Sequence, residues 1–211
     1  MQEILTVVIL IMSVVIHEIS HGYAALAFGD KTALHAGRLT LNPLKHLDPI
    51  GSLIVPLLFI ILPGNFIIGW AKPVPYNPHN LTHKKWGTLF VASAGILANL
   101  FIALVFGLLI RLTAGIEALG TSFIVVAGFI VFINVLLAIF NLVPIPPLDG
   151  SKILFTLLPQ RYQYIGRFME RYAIFILLFF IFYLWTFIQP IIFWLFELFS
   201  GISAFSFFGL L

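Results

Sequence analysis

Cysteine is absent from this 211-residue chain. That excludes a disulfide scaffold, a thiolate metal site and a cysteine nucleophile. Charge is scarce as well. Asp, Glu, Lys and Arg make up 9% of the residues, where a soluble domain carries about 25%. With 61% of residues hydrophobic, soluble globular and disordered classes are both excluded. A net charge of +3 is too sparse for a nucleic-acid footprint. No basic stretch precedes the first apolar run and no small-residue cleavage pattern follows it, so no signal peptide is expected. Fixed-period repeats and low-complexity tails are also missing. What remains is an all-α polytopic membrane protein, expected to form a single membrane-embedded domain over residues 1–211.

Five apolar stretches are present: Ile4–Phe28, Ile50–Gly69, Trp86–Ile110, Ser122–Leu142 and Tyr172–Phe199. Each is near the roughly 20 residues that a helix needs to cross the hydrocarbon. The few charges orient them. Lys31, Arg38 and Lys45 follow the first stretch, and Lys72, Lys84 and Lys85 follow the second. Lys152, Arg161, Arg167 and Arg171 separate the fourth from the fifth, and only Arg111 follows the third. Basic loops stay in the cytoplasm, which places 29–49, 70–85 and 143–171 inside and the N-terminus outside. Residues 50–69 then begin and end on one side. Pro56 and Pro63 interrupt them, as suits a re-entrant or interfacial segment. A plain fifth span with the charge rule locally broken is the alternative. The expectation is therefore about four transmembrane helices plus a re-entrant or interfacial segment. Residues 37–43, GRLTLNP, alternate polar and apolar before a proline, which predicts a short extended strand after the first helix. The apolar C-terminal run GISAFSFFGLL has no readable role.

The first stretch contains His17-Glu18-Ile19-Ser20-His21. Imidazole and carboxylate groups are expensive inside a membrane and mark function there. Residues four apart on an α-helix lie about 40° apart around its axis and one turn apart along it. His17 and His21 can therefore turn ring nitrogens toward one metal ion, with Glu18 beside it and able to reach a water rather than the metal. This is the H-E-x-x-H spacing of zinc metalloproteases. The competing reading is a satisfied polar cluster between helices. The motif sits in VVILIMSVVIHEISHGYAALAF, with no other charged group to explain it.

Catalytic zinc takes three protein ligands and a water. Of the eight acidic residues, Glu3, Asp30, Asp48, Glu117, Glu170 and Glu197 lie near segment ends or in loops. Asp149 stands apart, at the end of a run directly after the fourth stretch with three prolines, which forbid a regular helix. Unwound backbone at membrane depth is tolerated where it lines a site. Asp149 is also well placed to cap a helix starting at Gly150 or Ser151, and both roles are compatible. Interfacial histidines are common, so none of His35, His46, His79 and His83 is assigned to the metal. His46 beside Asp48 is a weak candidate for orienting part of the site. The small residues Ala94, Gly95 and Ala98 suit close helix packing. Asn99 would mainly join that contact, hydrogen-bonding across it or approaching substrate.

HEISHG at 17–22, GWAKPVPYNP at 69–78, AGILAN at 94–99 and NLVPIPPLDG at 141–150 together resemble the site-2 protease family, the intramembrane zinc metalloproteases. The resemblance spans roughly residues 4–171. It implies zinc bound by His17, His21 and Asp149, with Glu18 as general acid and base. It implies that Asn141 holds the substrate backbone or oxyanion, and that 37–43 presents substrate by edge pairing. Many family members carry a regulatory soluble domain, for which this chain has no room, so a minimal core is expected. The segment 50–69 adds length between the motifs.

Parity agrees with the charges. His17 and His21 lie in the inner half of a span running outside to inside. Asp149 meets them only if its preceding span runs the same way, with a single crossing between. The implied substrate is a single-span membrane protein cut near its cytoplasmic end, in the lipid bilayer of a prokaryotic cell membrane, with no nucleic-acid partner. A metal-ion transporter would spread ionisable groups along a pathway and show repeated halves, and neither is present. An inactive scaffold would be expected to lose Glu18 or a ligand, and all are intact.

Overall fold

A computed structural model describes residues 2–54, 71–113 and 120–209. Its regular elements are helical throughout, and four helices are long and apolar enough to cross a membrane. These are α1 (Gln2–Ala27), α3 (Lys84–Thr113), α4 (Gly120–Leu142) and α7 (Ala173–Ser200, interrupted by a π-helical turn at Phe180–Leu184). Shorter helices connect them: α2 (Thr32–His35), α5 (Asp149–Leu157), α6 (Gln163–Arg171) and α8 (Ala204–Phe208).

Why these residues fold this way follows from their surroundings. In lipid every backbone polar group must be satisfied internally, so long apolar runs become helices. Their outward faces carry exposed Phe101, Phe175, Phe187 and Trp194, as expected where the solvent is hydrocarbon. Their inward faces use small residues. A Cβ on Gly107 would come 2.7 Å from the backbone of Phe199, so α3 and α7 touch main chain to main chain there. The largest buried cluster joins Ala103, Ile110, Ala127, Val131, Ile192, Phe196 and Phe207 from α3, α4, α7 and α8. The C-terminal run thereby acquires a role. After α7 the chain reverses at Gly201, whose φ is +74°, and Phe207 is driven into the core.

Helix directions follow from paired contacts. Phe28 accepts from the Thr82 amide at 2.8 Å, so the chain between them leaves and returns at one end of the bundle. α1 and α3 are antiparallel: His21 meets Val91, and His17 meets Gly95. α1 and α4 are parallel, since Ser13 meets Asn134 while His17 meets Asp149 just beyond α4. α7 is antiparallel to α4, with Phe140 near Phe180 and Phe132 near Phe196.

Two expectations need comment. The expected re-entrant or interfacial segment at 50–69 lies largely outside the described residues. Those that are described, Pro49–Ile54, form a short π-helical turn. The strand expected at 37–43 does not form. Residues 37–42 are irregular and Pro43 begins a 3₁₀ turn. The facing segment contains Pro73 and Pro75, which lack the N–H donors a β-ladder needs. Arg38 takes over the pairing instead. It is buried, and its Nη2 donates to the carbonyls of Lys72 at 2.7 Å and Pro73 at 3.3 Å.

Candidate metal centre

The two histidines project from the C-terminal half of α1, and both are buried, at 5% exposure for His17 and 7% for His21. Helical spacing brings their rings to 4.7 Å between centroids, nearly perpendicular at 86°. His17 is seated against α3 at Gly95, where an added Cβ would lie 2.6 Å from the ring. Only glycine leaves that space. The Nδ1–H of His21 donates to the Val91 carbonyl at 2.6 Å. That contact fixes the tautomer and turns Nε2 toward the site, as an outer hydrogen bond does for metal-bound histidines.

Asp149 arrives from the other end of the sequence. Val143 to Leu148 cross from α4 to α5 as irregular chain, and α5 begins at Asp149 itself. Gly150 permits the tight join, because a Cβ there would lie 2.2 Å from the Leu142 carbonyl oxygen. The Asp149 carboxylate is not a helix cap: the N-cap is Leu148 and no side chain caps the helix. Its Oδ2 lies 3.1 Å from His17 Nε2 and 3.0 Å from His21 Nε2. Its Oδ1 accepts from Lys152 Nζ at 3.0 Å. Burial alone would raise the pKa of this carboxyl. The contacts with His17 and His21 and the neighbouring Lys152 ammonium outweigh it and hold Asp149 well below the usual carboxylate range. It is therefore ionised and ready to act as a ligand.

Among the described residues, His17, His21 and Asp149 are the one buried group able to hold a metal ion, with ligand atoms within 4.8 Å of one another. Two imidazole nitrogens and one carboxylate oxygen suit zinc. Donors at about 2 Å from a tetrahedral ion lie a little over 3 Å apart, close to the spacing of the carboxylate from both rings. The donor set and its geometry fit the metal.

Around these three groups lies a cavity of about 130 Å³ lined also by Glu18, Pro73, Val74, Asn141 and Lys152. Glu18 Oε2 accepts the Val74 amide at 2.8 Å. Asn141 borders the cavity while one of its amide hydrogens is donated to Leu137, four residues back. All five residues singled out from the sequence therefore converge on one cavity. His46 does not join them. It is buried against residues 40 and 72, its Nε2 bonding the Thr40 carbonyl and its own carbonyl accepting the Lys72 amide.

Three contributors were not read from the sequence. Lys152 holds the second oxygen of Asp149. Arg38 anchors the carbonyls of the 71–77 segment that covers Glu18. Asp30, fully buried, accepts from Thr32, Asn80 and the Asn77 amide and ties that segment's far end to the end of α1. Only Lys152 had a local signal, its i, i+3 spacing from Asp149 at the start of a helix.

Known proteins resemble this chain in sequence. A model of peptidase family M50 matches residues 109–184, the stretch that carries Asn141 and Asp149. Over 158 residues the chain is 40% identical to a Bacillus subtilis protein named "Putative zinc metalloprotease YwhC", covering 72% of this chain and 68% of that one. It is 37% identical over 142 residues to Mycolicibacterium smegmatis "Putative zinc metalloprotease Rip2", covering 66% and 52%. The Mycobacterium tuberculosis (strain H37Rv) protein of the same name is 29% identical over 201 residues, covering 92% and 73%. No solved structure matches.

Proposed function

This chain belongs to peptidase family M50, the site-2 protease family of intramembrane zinc metalloproteases, and from that premise we propose that His17, His21 and Asp149 hold its zinc. Glu18 is the residue that moves the proton, and Asn141 holds the substrate. The observation that carries the assignment is convergence: two buried histidines from α1 meet a buried aspartate that lies 132 residues beyond the first of them.

Zinc at this position supplies Lewis-acid polarisation of a water and of a peptide carbonyl. The chain's residues do the rest. Glu18 takes the proton from the attacking water and returns it to the leaving amine. Its hydrogen bond to the Val74 amide keeps the carboxylate aimed into the cavity at rest and must open for this step. The amide of Asn141 has a hydrogen left to donate to the carbonyl oxygen of the scissile bond as charge builds there. Buried Val91 and Ala92 keep bulk water from the reacting atoms.

The substrate class is a single-span membrane protein unwound near its cytoplasmic end, since a helix hides its carbonyls in its own hydrogen bonds. Placing the site toward the cytoplasm of a prokaryotic cell membrane rests on the basic residues at that end of the bundle, with Arg111 at the other. The return of the chain from Phe28 to Thr82 supports an even number of crossings for what lies between, in keeping with a re-entrant or interfacial 50–69. The irregular 37–43 and 71–77 segments lie beside Glu18, and an unwound substrate would enter along them. Residues 1–211 act as one membrane-embedded protease domain. A metal-ion carrier is not favoured, because the described residues hold one ligand cluster and no chain of them.

Glu18→Gln tests the assignment. It should retain stoichiometric zinc and lose cleavage of a model transmembrane substrate by at least about 100-fold. Retained turnover in the purified variant would overturn the role of Glu18.

A further inference from the structure

One helical turn deeper than His17, polar side chains of α1 and α4 meet in the hydrophobic interior, and α3 carries a third at the same level. Asn134 of α4 donates from Nδ2 to Ser13 Oγ of α1 at 2.9 Å. The antiparallel register of α1 and α3 runs from Phe28 at Gly87 through His21 at Val91 to His17 at Gly95. Its next step sets Asn99 level with Ser13. All three are buried: Ser13 is 4% exposed, and Asn99 and Asn134 are 0% exposed.

Their hydrogen-bonding capacity is not used up by protein. Both Oδ1 and Nδ2 of Asn99 lack a partner, as does Oδ1 of Asn134. The Nδ1 of His17 lacks one too, whereas that of His21 has the Val91 carbonyl. Buried carboxamides without partners are strongly disfavoured, so such groups are satisfied by ordered water where the site is polar enough. A water needs two to four polar partners. Here a ring N–H, two carboxamides and a hydroxyl are available. A histidine that gives Nε2 to a metal needs an acceptor for its Nδ1–H, which fixes the tautomer and the ring plane.

We propose that Ser13, Asn99 and Asn134 form a buried hydration site that supplies this acceptor to His17, with Asn99 as its positioning residue. The inference rests on the zinc-protease reading and adds to it. Direct helix-to-helix adhesion is the other role open to Asn99. That role would show a side-chain hydrogen bond to a neighbouring helix, and Asn99 makes none.

The experiment is zinc competition against a chelator, with full-length protein in detergent. Asn99→Leu keeps the branched shape and the number of heavy atoms, at somewhat larger volume, and removes the polar groups. It should weaken zinc binding about 10–100-fold and shift the visible spectrum of the cobalt-substituted protein. The melting temperature of the metal-free protein should not fall. Asn99→Ser, which keeps a donor and acceptor, should restore most of the affinity. Unchanged zinc affinity with an unchanged cobalt spectrum would overturn the proposal. So would an affinity loss matched by an equal loss of metal-free stability, which would make Asn99 structural. If Asn99→Leu does not accumulate, Asn134→Leu is read by the same criteria. The wild-type titration keeps the two readings apart. A wild type without stoichiometric zinc defeats the protease reading, whereas tight zinc in both wild type and Asn99→Leu defeats only this one.

Discussion

Asp30 does no chemistry, yet it accepts four hydrogen bonds: from the amide and hydroxyl of Thr32, the side chain of Asn80 and the amide of Asn77. Burial would raise its pKa, but these donors outweigh that and hold it below its ordinary 3.8. The sign of the linkage follows. A carboxyl whose folded value is depressed contributes stability that is fully present above its unfolded value and is lost as pH falls through the folded one. Thermal melts between pH 7 and pH 3 should therefore show wild type losing stability at the acid end. Asp30→Asn should start about 2 kcal/mol lower and respond less to acid, and equal slopes would refute the assignment. Nothing in the sequence marked Asp30, because the 77–80 loop it holds lies about 50 residues away. That His17, Glu18 and His21 share one cavity was legible because helical spacing alone sets them side by side. Asp149 was legible because acidic groups are so scarce. Lys152 and Arg38 act through partners that no local pattern reveals.

At the scale of elements, the spanning helices were legible because lipid leaves long apolar runs no alternative. The 37–43 segment misled because strand alternation describes one chain and a strand needs two. Opposite it stand Pro73 and Pro75, and the buried Arg38 replaces the missing ladder. The contact between α1 and α3 makes its own prediction. These helices approach closely enough that a methyl group on Gly95 would overlap the His17 ring at 2.6 Å. Both are fixed in packed helices, so the ring must leave its seat. Gly95→Ala should fold, lower zinc affinity by 10-fold or more, and lose cleavage in proportion. Ala98→Gly, on the same helix but half-buried, is the control. Wild-type zinc affinity in Gly95→Ala would mean that the ring has another place to sit.

For the whole molecule, the contacts set α1 and α4 parallel with α3 returning between them. All the basic loops then share one end, and a single reporter can test which side that is. The chain has no cysteine, and His79 is exposed in the loop before α3. His79→Cys should react with an impermeant thiol reagent only after the cytoplasmic face is opened, and labelling of intact cells would invert the topology. The same arrangement has a consequence for biogenesis. The proposed ligand set is split across 132 residues, with α3 and α4 between its halves. At roughly 5–20 residues per second, about 7–26 s separate synthesis of the histidines from that of the aspartate. During that interval the nascent chain holds two ligands and an unassembled pocket. On the proposed assignment the chain cannot cut other newly inserted helices until α4 has crossed and α5 has brought Asp149 to the histidines.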